Sequence, residues 1–121
     1  MQDRPTAAEL VTAVREWIER EVMPSAEGRV AFHARVAANA LGIVERELTL
    51  DAALTDGQRE RARSLVDGDG TAVDLERELA ARIRDGSLDD RIDEVRAHVR
   101  RTVREKLLVA NPGYLPDGTG P

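Results

Sequence analysis

The sequence predicts an all-α fold, an antiparallel bundle of about five helices. Three observations carry that expectation. Apolar residues recur at helical three- and four-residue spacing along most of the chain, and no segment alternates apolar and polar residues as a half-buried strand does. Glycines, prolines and capping residues punctuate the apolar runs. At 121 residues the length suits one domain. Residues 1–110 are expected to form the bundle and 111–121 a Pro/Gly-rich tail.

The first helix is expected over 7–22. Thr6 with Glu9 makes a capping box, and Leu10, Val11, Val14, Trp17, Ile18 and Val22 share one face. Pro24 is expected to stop it. A second helix is expected over 27–48, and a third over 56–66 on the strength of a further capping box, Thr55 with Gln58. The DGDGT stretch should break the third helix. The fourth, 72–85, offers Leu75, Leu79 and Ile83, with Gly86 just past its end. Ser87 with Asp90 should start the fifth, 88–110, whose stripe Leu88, Ile92, Val95, Val99, Val103, Leu107 and Ala110 is the longest. The tail NPGYLPDGTGP packs only if Tyr114 and Leu115 dock.

Composition narrows the function classes. Twelve Val, twelve Leu and four Ile stand beside one Phe, one Trp and one Tyr. Such a core suits closely packed helices and not an aromatic-lined cofactor pocket, so no cofactor is expected. The net charge of −5 argues against nucleic acid, whose phosphates reward clustered cations. With no cysteine, disulfides, thiolate metal sites and Cys nucleophiles are excluded. The first apolar region is broken by Arg15, Glu16, Glu19, Arg20 and Glu21, unlike a signal peptide. No run has the roughly 18 uncharged apolar residues of a membrane span. A soluble, cytoplasmic protein is expected.

FHARVAANAL, residues 32–41, holds a candidate polar cluster of His33, Arg35 and Asn39. On a helix, Val30, Phe32, Val36, Ala37, Ala40, Leu41, Ile43 and Val44 cover about half the circumference, which predicts a central helix with neighbours on two sides. His33 falls inside that stripe, Asn39 at its edge and Arg35 toward water. A largely buried His33 ring is expected. Three roles stay open for it: a hydrogen-bonded core histidine, a general base near neutral pH, or a contact with a ligand or partner. No metal site is expected, because His98 lies on a different helix flank and no HExxH-type spacing joins the two.

Two further motifs have ordinary explanations. Asp67, Asp69, Thr71 and Glu78 sit where a calcium loop places ligands, but Ala72 stands at the position needing glycine; a capped glycine-rich turn explains the same residues. Acidic residues crowd the start of 88–110 and basic ones its end, which complements the helix dipole. Arg100, Arg101 and Arg104 share a surface that suits a phosphate or an acidic partner.

MQDRPTAAELVTAVREWIEREVMP followed by GRVAFHARVAANALGIVERE resembles a family of small bacterial helical proteins classed only as a domain of unknown function. The resemblance is strongest over 1–48, rests on DRPTAAEL and FHARVAANAL, and runs more loosely to NPGYL. It implies no catalytic residue. It does imply neighbours: an aminoglycoside-phosphotransferase-like kinase and an acyl-CoA dehydrogenase, in catabolism of hydroxylated acyl-CoA thioesters. The chain is then expected to be a non-catalytic accessory partner of one of them. The alternative is a small enzyme or acyl-group binder with an interhelical pocket around His33 and Asn39. A homodimer is a further expectation, since the apolar faces exceed what one small bundle covers.

Overall fold

The computed structural model describes residues 3–116, so the last residues of the expected tail lie outside the described part. The described residues form an all-α fold without strands. No helix among them is long and apolar enough to cross a membrane. Contacts gather into two units, Met1–Asp51 and Ala52–Pro121.

In the first unit, helix α1 spans Ala7–Trp17. The expected capping box is present: the Glu9 amide donates to Thr6 Oγ1 at 3.2 Å, and the Thr6 amide to Glu9 Oε1 at 3.4 Å. The helix does not stop at Pro24. It widens into a π turn, Ile18–Val22, and continues through Met23–Ser25. Proline has no N–H to return to the carbonyl four residues back. The wider turn just before it, where the Met23 amide donates to the Ile18 carbonyl, carries the helix past that gap. Ala26 is extended, and Gly28 restarts the chain at φ +58°, a left-handed value that glycine adopts without cost.

Helix α2, Gly28–Arg63, is one helix of 36 residues where two were expected. The Thr55–Gln58 box lies inside it and starts nothing. No proline interrupts this span, the residues before Thr55 (Leu48, Leu50, Ala52, Ala53, Leu54) are mostly strong helix formers, and the interior glycines, Gly42 and Gly57, cost only about 1 kcal/mol each.

The buried face of α2 in this unit is also not the one expected. Ala34, Ala38 and Gly42, spaced by four, are buried. A Cβ on Gly42 would lie 3.9 Å from Arg15 Cδ, so the small-residue side is the one that meets α1. Phe32, Val36 and Val44, assigned to the core from sequence, are 55%, 49% and 40% exposed. Small side chains let backbones approach closely and thereby claim the contact. Arg15 locks it, with Nε 2.6 Å from Glu45 Oε2. The hydrogen bond from Arg15 holds the Glu45 carboxyl below its ordinary range.

The second unit holds the apolar core: Ala62, Leu65, Val66, Leu75, Leu79, Leu88 and Val95. Helix α3, Ala72–Asp85, opens on a Thr71–Asp74 capping box and ends at Gly86, φ +82°, as expected. The cap explains the DGDGT turn. Its other residues are tied by arginines, with Arg59 Nε donating to the Gly70 carbonyl at 2.8 Å and Arg63 Nη2 to Asp69 at 3.3 Å. Helix α4, Ile92–Ala110, starts later than 88. Ser87 does not cap it: the Ser87 amide donates to Asp85, and a 3-10 turn, Asp89–Arg91, leads in. Beyond α4 a second 3-10 turn, Pro112–Tyr114, buries Pro112, and Leu115 is buried while Tyr114 stays exposed.

Candidate functional site

Helix α4 turns a different face inward from the one its apolar stripe suggested. Leu88 and Val95 are buried, but Ile92, Val99 and Val103 are exposed, and the buried line continues through His98 and Glu105. These two polar residues reach partners on other elements. His98 Nε2 lies 2.8 Å from Glu76 Oε1 on α3, while its buried Nδ1 has no partner. Glu105 accepts from Arg61 Nη1 at 2.9 Å and Arg61 Nη2 at 3.3 Å, from Gln58 Nε2 at 3.1 Å and from Arg101 Nε at 3.2 Å. Burial pushes the Glu105 carboxyl up, but the bonds from Arg61 and Gln58 together outweigh it, and the group sits below the ordinary carboxylate range.

Above this buried carboxylate lies an open groove of about 620 Å³. Leu54, Ala97 and Leu108 supply its apolar lining, and Arg100, Arg101, Arg104 and Glu105 its charges. The three arginines singled out from sequence are therefore brought together. They do not play equal parts. Arg101 is bound to Glu105, Arg104 is engaged by a further interaction, and Arg100 is exposed, with no hydrogen-bond or ion-pair partner among the described residues. Three guanidinium groups against one carboxylate give the groove a positive balance beside an apolar surface. That combination suits an anion carried on an apolar body.

The other sequence-predicted cluster is not assembled. His33, Arg35 and Asn39 are all exposed on α2. The expected burial of His33 is corrected: its ring stands in solvent, edge-on to Phe32 with centroids 5.6 Å apart. The helix presents its small-residue side to α1, so the stripe containing His33 faces out. Asn39, six residues on, points about 120° away around the helix, and neither residue lines the groove. No group of three or more His, Cys, Asp or Glu able to hold a metal ion occurs among the described residues.

His98 and Glu105 are what sequence reasoning missed. Their only signal was spacing: Val95, His98, Thr102 and Glu105 recur at helical intervals, and a polar residue on such a line is buried only if distant partners meet it.

Residues 24–114 match the family described as a domain of unknown function (DUF6285). The chain belongs to this family. The match takes in FHARVAANAL, the groove and the buried Glu105 network, and begins beyond DRPTAAEL. No curated protein and no solved structure matches the chain.

Proposed function

We propose that this DUF6285 chain is a non-catalytic interaction module whose arginine groove receives an acidic segment of a partner protein. The observation that carries the reading is the juxtaposition of Arg100, Arg101 and Arg104 on α4 with Ala97 and Leu108 of the same helix and Leu54 of α2. Guanidinium forks bind carboxylates bidentately, and the apolar lining takes the aliphatic side chains of the same segment. Glu105 has a positioning part: by accepting from Arg101 it fixes one guanidinium at the groove. The partner that the resemblance supports is the kinase-like protein or the acyl-CoA dehydrogenase of hydroxyacyl-CoA catabolism. The enzyme alternative around His33 and Asn39 loses its support, because the two side chains point apart into solvent.

The test is binding of the purified chain to each candidate partner by calorimetry, with Arg100→Glu and Arg104→Glu as the perturbation and circular dichroism to verify the fold. Arg101 is left alone, since reversing it would disturb Glu105. Binding weakened by about tenfold or more supports the reading. Turnover of an acyl-CoA thioester or nucleotide by the chain alone, lost in these folded variants, overturns it.

A further inference from the structure

The outward face of α2 in the first unit is large, apolar and ordered about its own midpoint. Val30, Phe32, Val36, Val44, Leu48 and Leu50 are each between 36% and 62% exposed. Taking about 150–200 Å² for a fully exposed side chain of this size, they leave roughly 500 Å² of apolar surface in water, against ~800 Å² per partner in a standard interface that also counts its polar rim. That area is toward the upper end of the largest apolar patch a typical monomer carries, a size at which such patches often serve an interaction.

We propose that this face, centred on Ala40, is a two-fold interface with a second copy of the same chain. What selects a second copy over a foreign protein is the order of residues around position 40. Val36 and Val44 stand four residues either side of it. His33 and Glu47 stand seven either side, and Arg29 and Asp51 eleven. At about 100° per residue all six fall within about 40° of the line through Ala40. Two such helices laid antiparallel across a two-fold axis at Ala40 bring each residue level with its counterpart in the other copy. Valine then meets valine, His33 meets a glutamate, and Arg29 meets an aspartate, each contact occurring twice.

Isologous interfaces demand this self-complementarity, whereas a foreign partner does not require it. Charge agrees. Among the described residues the side chains of Arg29, Glu47 and Asp51 have no hydrogen-bond or ion-pair partner within the chain. Size agrees too, because alanine at the axis permits the close end of the 8–10 Å range of helix spacing. On the same lateral side of the seam, Phe32 falls beside Leu50 of the second copy. The groove on α4 takes no part, so this inference stands or falls apart from the proposed partner protein.

The full-length chain is tested by sedimentation equilibrium at high micromolar concentration, where a mass twice 13.3 kDa is expected. The absence of cysteine makes position 40 a clean probe: Ala40→Cys should form a disulfide-linked dimer under mild oxidation. Val73→Cys, at an exposed position on α3, should remain monomeric on the same gel. Arg29→Glu should raise the dimer dissociation constant by about tenfold, and adding Asp51→Arg to it should restore the wild-type value, which a merely structural role would not do. A mass of 13.3 kDa at that concentration overturns the proposal. So does a dimer in which Ala40→Cys links no faster than Val73→Cys, since another surface then pairs, or one that forms only with a foreign protein bound.

Discussion

Replacing Glu105 by alanine removes the carboxylate that four N–H donors share, and the cost follows from what remains. The Arg61 guanidinium, with its side chain 21% exposed, keeps its charge and its bond to Thr102 Oγ1 at 3.3 Å but loses its charged partner, and its Nε is already buried without one. Breaking a buried pair by deleting one member costs about 3–5 kcal/mol; partial access of water to Arg61, and the exposure of Arg101 (67%), lower that to about 2–4 kcal/mol. In a unit of this size each kcal/mol moves the midpoint by about 4–8 °C, so Tm should fall by at least about 8 °C. The assay is thermal unfolding followed by far-UV circular dichroism, with urea titration for the free energy. Acid adds a second readout. The folded Glu105 carboxyl lies below its unfolded value of 4.5. Above 4.5 both states are ionised and the contribution is complete; as pH falls toward the folded value the unfolded chain takes up the proton first and the contribution is lost. Glu105→Gln should therefore flatten the acid decline below pH 4.5. A Glu105→Ala variant within about 1 kcal/mol of wild type would refute the reasoning, because desolvation would then have cancelled the bonds.

Leu79 is 2% exposed in the core, and Leu79→Ala should cost about 2–5 kcal/mol in urea titration through the cavity it leaves. Gly86→Ala should cost about 1–2 kcal/mol in the same assay, since φ is +82° and the new Cβ would lie 3.3 Å from Asp89 Oδ2. A double-mutant cycle on Arg15 and Glu45 should give a coupling of about 1 kcal/mol, shrinking in high salt, for a two-pronged pair only a quarter exposed.

What was legible in the sequence was local. The Thr6–Glu9 box and the Gly86 stop are decided by neighbours within a turn, and both stand as read. The same logic misfired at Thr55, because a capping signal inside a run of helix formers has no break to act on. Pro24 misled likewise, since a π turn absorbs its missing bond. Facing was harder. The widest apolar stripe on α2 was assigned inward, but Ala34, Ala38 and Gly42 allow the closer contact and α1 packs there. Of the candidate site, the arginine cluster was readable because Arg100, Arg101 and Arg104 lie on one helix. Glu105 and His98 were not, because their partners Arg61 and Glu76 are 44 and 22 residues away, and only the fold brings them close.

Among its described residues the first unit buries Ala34 and Ala38 but no large side chain. Its amide hydrogens therefore have little apolar protection, and they should exchange with solvent through local opening while those around Leu79 wait for cooperative unfolding. Anything that covers the exposed face of α2 slows that opening by mass action. For a second copy of the chain, the exchange rates of residues 29–51 become a function of protein concentration. The same holds for attack by a protease, so survival of this helix would track how much of the chain is present.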